Sequence, residues 1–237
     1  MNDRLPAMQA SLQTVTQAVA RRLQDMIHRG EWQPEQKIPS QRILSEQLGV
    51  SRASLREALL TLETLGLIRT YPARGTFVTG PGTTTPRDDT QWRYSGDYTL
   101  REAFEIRLLL EGRLAALAAG TMTTDDIAAL NMATDAMEAA WAVRDLLANV
   151  EADLDFHRRI AESCPNRLMR QTYNSLSDFL TETQRQPIPF TELDRMTGSI
   201  AEHRAIATAI GNRDAAAAKA AMAEHIRKTA ACAGVLV

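Results

Sequence analysis

The sequence predicts a mainly α protein in two parts: three helices closed by a β-hairpin wing, then, beyond a linker, an all-α bundle. Three observations carry this. Apolar residues recur at helical spacing through most of the chain. The clear strand signal is short, LIRTYPARGTFVTG at 67–80, two runs around a turn at Pro72–Gly75. Residues 80–96, GPGTTTPRDDTQWRYSG, mix Gly, Pro, Thr and charge without apolar period. The parts are taken as residues 1–80, a linker at 81–96, and residues 97–237.

The elements follow in order. A first helix runs from Ser11 to Arg29, with Val15, Val19, Leu23 and Ile27 one turn apart and Gly30 at the C-terminal cap position. A short helix spans Ser40–Leu48, with Ser40 as N-cap. After a tight turn at Gln47–Val50, a third helix starts beyond Ser51, places Leu55, Ala58, Leu59, Leu62 and Leu65 on one face, and ends at Gly66. Past the linker, helices are expected at 98–119, 123–140, 142–162, 166–185, 192–210 and 212–233. The breaks between them fall at Gly120–Thr123, Cys164–Asn166, Pro187–Pro189 and Gly211–Asn212.

Bulk properties narrow the function classes. The 237 residues are 44% hydrophobic and 24% charged, ordinary for a globular protein. No apolar run approaches the roughly 18 to 20 residues that cross a bilayer. The N-terminus lacks a basic start followed by an apolar core. A cytoplasmic protein without a membrane partner is expected. Cys164 and Cys232 form no CxxC pair and are expected as two buried thiols. The net charge of −2 divides unevenly. Residues 1–80 hold 10 Lys and Arg against 7 Asp and Glu, and the remainder holds 17 against 22. An excess of positive charge at the N-terminus suits an anionic partner.

Three short helices and a hairpin form a helix-turn-helix with a wing, a unit that lays its second helix in the DNA major groove. In SRASLREALLTLE, Arg52 and Arg56 fall off the leucine face and remain free to reach base edges or phosphates. Ser51 and Ser54 can cap the helix or bond phosphate. The segment IPSQRILSEQLGVSRASLREALLTLETLGLIRTYPARGTFV, and above all its VSRxxxREAL core, resembles the winged helix of the GntR superfamily of bacterial regulators. The resemblance implies a double-stranded DNA operator as partner. It places Arg42, Arg52 and Arg56 against DNA and makes Arg74 and Gly75 the wing tip. The sequence departs from the family pattern at Gln41, where Glu is usual, and at Ile43–Leu44–Ser45.

In the second part the histidines are the informative residues. Asp153 and His157 lie one turn apart on a face shared with Leu146, Val150 and Ile160. His203 shares its face with Met196, Ile200, Ile206 and Ile210, and His225 with Ala218, Met222 and Cys232. Three imidazoles and a carboxylate turned into one core need partners. Each alone fits a hydrogen-bonded core residue, but a divalent metal with N and O ligands satisfies all four together. His28 sits with Gln17, Arg21, Gln24 and Asp25 and is expected at the surface.

DLDFHRRIAESCPN, EHRAIATAI and MAEHI resemble the FCD-type ligand domain of the FadR subgroup of the same superfamily. That resemblance makes Asp153, His157, His203 and His225 metal ligands, with zinc first and nickel or manganese as alternatives. It implies a small organic or sugar acid as effector. Arg107, on a face with Leu100, Ala103, Phe104 and Leu114, is the expected carboxylate clamp, since its planar fork binds carboxylates in pairs of hydrogen bonds. The alternative for Arg107 is an ion pair with Glu111, one turn on. The expected whole is a homodimer on a palindromic operator. A purely structural metal and a metal-dependent enzyme are the competing readings.

Overall fold

The computed structural model describes residues 4–80 and 92–237. By internal packing the chain divides into two units, Met1–Pro86 and Arg87–Val237. Most of the expected linker, residues 81–91, lies outside the described residues.

The first unit is built on serine caps. Helix α1 spans Arg4–His28, α2 Gln41–Leu48 and α3 Arg52–Thr64. Ser40 caps α2 by accepting from the Ile43 amide, and Ser51 caps α3 by accepting from the Ser54 amide at 3.0 Å. These side chains satisfy amides that a helix start leaves without partners. Gly49 ends α2 at φ 66°, a left-handed conformation that costs glycine little and lets α3 begin three residues later. Leu55, Ala58, Leu59 and Leu62 of α3 are buried with Leu44 of α2 and Val19, Ala20 and Leu23 of α1. Gln24 is buried among them, not on the polar face expected for it, whereas His28 is exposed as expected.

Strands β1 (Ile68–Tyr71) and β2 (Gly75–Val78) pair antiparallel, Ile68 opposite Val78 and Tyr71 opposite Gly75. The chain before α2 joins the hairpin: the Ile38 amide donates to the Thr76 carbonyl and the Val78 amide to the Gln36 carbonyl. Glu63 ties α3 to the wing by accepting from the Thr70 amide at 2.6 Å.

The second unit is helical among its described residues: α4 Leu100–Thr121, α5 Thr124–Ala142, α6 Leu146–Glu162, α7 Arg167–Ser175, α8 Ser177–Arg185, a 3-10 turn Ile188–Phe190, α9 Leu193–Gly211 and α10 Ala215–Cys232. Thr99 and Thr123 open α4 and α5 with reciprocal capping boxes to Glu102 and Asp126. The core gathers Phe104 and Leu114 of α4, Leu130 of α5, Phe156 and Ile160 of α6, Ile206 of α9 and Met222 of α10.

Two expectations are corrected here. The single helix expected at 166–185 is two, because Leu176 leaves helical geometry at φ −99°, ψ 3°. The break lies in NSLSD, where Asn and Ser compete for backbone hydrogen bonds. Residues 92–96, expected in the linker, form a turn packed on the bundle: Trp92 is buried, its Nε1 donates to the Tyr98 carbonyl at 2.6 Å, and Tyr94 stacks on Phe179 of α8 at 4.1 Å. Cys164 is buried, while Cys232 is only half-buried.

Candidate metal centre and nucleic-acid interface

Helices α6, α9 and α10 bring the four expected ligands to one point. Asp153, His157, His203 and His225 each offer a ligand atom, and these atoms all lie within 4.8 Å of one another. All three imidazoles are buried. The His203 and His225 ring centroids stand 4.4 Å apart and those of His157 and His225 5.4 Å.

Two rings spend one nitrogen on an outside acceptor, and the third sets its Nδ1 in an ion contact. His203 Nδ1 lies 2.8 Å from the Ser199 carbonyl, His225 Nδ1 3.0 Å from Glu202 Oε2, and His157 Nδ1 2.5 Å from Glu111 Oε2. The last is an ion contact that lies off the line of a hydrogen bond. Engaging Nδ1 fixes each ring's orientation and turns the other nitrogen inward, the arrangement that supports metal-ligating histidines. Among the described residues, Nε2 of His157 and Nε2 of His203 are buried with no hydrogen-bond partner. Asp153 Oδ1 stands 2.9 Å from the latter and 3.9 Å from the former, close but not aligned for hydrogen bonding. Orphaned inward nitrogens beside a carboxylate are the donor set of a divalent cation.

Electrostatics keep the acids ionised and one ring neutral. Burial alone would raise the Asp153 carboxyl, but its contact with His203 and the neighbouring imidazoles of the cluster hold it well below the usual carboxylate range. Burial likewise opposes ionisation of Glu202, yet His225 and Arg195 bring it down to about 2. His225 is pushed down to about 3, first by burial and then by the neighbouring His203. Neutral imidazole and ionised carboxylate are the states that bind metal.

Arg107 is fully buried, and the ion-pair alternative is the one formed in the structure. Its Nε donates to Glu111 Oε1 at 2.7 Å, so the ion pair is formed, and Nη1 donates to Thr183 Oγ1 at 3.3 Å. Glu111 links Arg107 to His157; against the cost of burial, these two partners lower it to about 2. Arg107 also lines a cavity shared with Asp153, His225, Gln184, Arg195 and Thr229. Sequence reasoning missed Glu202 and Arg195. Arg195 holds Glu202 through two contacts of 3.0 Å, and Glu202 in turn holds His225. The signal for the first pair was the seven-residue spacing on α9, two turns on one face.

In the first unit Arg52 and Arg56 are exposed on α3, and Arg42 is exposed on α2 in an ion pair of 2.9 Å with Glu46. Ser51 caps α3. Ser54 is only 4% exposed, with its hydroxyl 2.9 Å from that of Ser51, so of the two roles open to it the structure places it in the cap. At the wing tip Arg74 lies over the Tyr71 ring at 5.3 Å. Gly75 has φ 112°, a backbone conformation that residues with a Cβ rarely adopt, so the turn requires glycine; a Cβ there would also have to displace the end of the Lys37 side chain.

Comparison with known proteins gives these two sites a context. The family of bacterial regulatory proteins called gntR matches residues 15–78, and the FCD domain matches residues 102–228. The HTH-type transcriptional regulator LutR of Bacillus subtilis (strain 168) is 30% identical over 207 residues, 85% of this chain and 93% of LutR. The HTH-type transcriptional repressor NanR of Klebsiella aerogenes is 29% identical, over 92% of this chain and 84% of its own. The solved structure of E. coli McbR/YncC superposes with a TM-score of 0.54 at 21% identity, covering 93% of this chain and 97% of its own, and so shares the fold. These relatives are transcription regulators, not enzymes. The chain belongs to the GntR family of bacterial regulatory proteins and is a transcriptional regulator with an FCD effector-binding domain.

Proposed function

We propose that this regulator binds a palindromic operator as a homodimer and that a small organic or sugar acid, held beside a divalent metal in the second unit, sets its DNA affinity. Asp153, His157, His203 and His225 would hold the ion, zinc first, with nickel or manganese as alternatives. The observation that carries the reading is the pair of buried, unpartnered Nε2 atoms of His157 and His203 facing the Asp153 carboxylate. When bound, the ion supplies positive charge and open coordination positions for a carboxylate. Asp153 and His225 both line the cavity that Arg107 lines, so an acid there reaches the ligand set and the guanidinium together. Arg42, Arg52 and Arg56 would contact the operator, with Ser51 and Ser54 fixing the start of the reading helix and Arg74 and Gly75 forming the wing. An effector that binds one arrangement of the dimer better than the other shifts the population and with it the operator affinity.

Two measurements test this. The purified chain is expected to carry one divalent ion, lost in His203→Ala. A labelled fragment of the organism's own upstream DNA is expected to bind specifically at physiological salt; no specific binding anywhere in that region would overturn the reading.

One observation favours a second reading, in which the metal only braces the fold: Arg107 is already neutralised by Glu111. On that reading His203→Ala lowers thermal stability while the DNA response to effector survives. Loss of the response in a folded variant excludes it.

A further inference from the structure

We propose that Gln184 reads a hydroxyl group on the effector, so that the cavity selects hydroxylated carboxylates over their deoxy analogues. The inference rests on the effector reading above and adds the feature that chooses among acids. Gln184, on α8, is 6% exposed and lines the cavity, and among the described residues its Oε1 has no hydrogen-bond partner. A buried amide oxygen without a donor is costly, and native proteins leave few of them. Since Gln184 lines the cavity, the missing donor belongs to what the cavity holds.

The neighbouring polar groups share this bias. Asn149 Nδ2 donates to the Met137 carbonyl at 3.0 Å. Thr191 Oγ1 donates to the Pro187 carbonyl and Thr229 Oγ1 to the His225 carbonyl, both at 2.9 Å. A hydroxyl has one hydrogen and two lone pairs. Both threonines have committed the hydrogen, so what they present to a ligand is lone pairs. These two hydroxyls and the Gln184 Oε1 therefore offer acceptors and ask for donors. An ionised carboxylate has only acceptors, so a plain mono- or dicarboxylate gives these three oxygens nothing. A hydroxyl on the same molecule supplies what is missing. Thr183, the residue before Gln184, accepts from Arg107, so one helix meets both the guanidinium and the hydroxyl.

The test uses the metal-loaded full chain, with affinities measured by titration calorimetry. Three matched pairs serve as probes: glycolate with acetate, malate with succinate, and gluconate with 2-deoxygluconate. The preferred hydroxy acid is expected to bind at least about tenfold tighter than its deoxy partner. In Gln184→Met, close in size and without the amide, the ratio falls towards one while the deoxy acid binds as before. An unchanged ratio in the variant overturns the proposal. So does a wild-type ratio near one, which places water rather than effector against Gln184 and decides the matter whatever the variant's stability. If the deoxy acids bind but are not disfavoured, only this inference fails. If no acid of any pair binds, the effector reading fails and takes the inference with it.

Discussion

Each core histidine of the second unit sets its Nδ1 against an acceptor outside the cluster, by a hydrogen bond for His203 and His225 and by an ion contact for His157, and the three acceptors differ in kind. A backbone carbonyl serves His203, Glu202 serves His225 and Glu111 serves His157. Glu202 is a positioning residue for the cluster. Glu202→Gln is expected to keep the fold and lower metal affinity by roughly 10–100-fold, measured by competition with a chelator. Glu111 has a second task, as counter-charge to a guanidinium with no exposure to water. Arg107→Met would strand that carboxylate, and metal-free stability should fall by roughly 3–5 kcal/mol, read from denaturant unfolding. Acid acts on the same residues. Glu111 and Glu202 stand at about 2 and His225 at about 3 in the folded protein, all below their ordinary values. As pH falls, the unfolded chain takes up protons before the folded one does, so stability declines. Metal-free protein should hold full stability above the ordinary histidine range, about pH 6.5, then lose it steadily towards pH 3. A midpoint flat across that interval would contradict these assignments. The gathering of the four residues was legible in the sequence, because Asp153 and His157 are one turn apart and every histidine of this unit shares an apolar face. The role of Glu202 was not, since it depends on which helix packs beside α9 and helical period does not order neighbours; only its pairing with Arg195, seven positions back on the same helix, left a signal.

At the scale of the elements, α3 separates folding from reading. Ser51 and Ser54 serve its first turn, whereas Arg52 and Arg56 are exposed. Ser51→Ala should cost about 1 kcal/mol of stability. Arg52→Ala and Arg56→Ala should leave the melting temperature unchanged and weaken operator binding, and an anisotropy titration distinguishes the two outcomes. Helices with strong period and clear caps stood close to where sequence placed them. The α7–α8 break escaped because Leu176 is an ordinary helix former, and only Asn and Ser around it hint at a stop. The turn at 92–98 escaped for another reason. Trp92, Tyr94 and Tyr98 have no helical or strand period, and the Phe179 ring that Tyr94 and Tyr98 contact lies some eighty positions on. This turn packs residues 92–98 onto α8, the helix that also carries Thr183 and Gln184. Phe179→Ala should release it, with lower thermal stability and faster proteolysis near Arg93.

At the scale of the whole molecule, the chain joins a unit with exposed arginines on a capped helix to a unit with a buried, cation-ready cluster beside a cavity. Family membership makes it a regulator, and the geometry bears on what it responds to. The central claim is that DNA affinity is set through the cluster formed by Asp153, His157, His203 and His225. The most direct test is operator affinity by fluorescence anisotropy, with and without the best-binding acid of the three pairs, for metal-loaded wild type and for folded His203→Ala. Operator affinity is expected to shift at least about fivefold in wild type and not at all in the variant. An equal shift in both would contradict that claim.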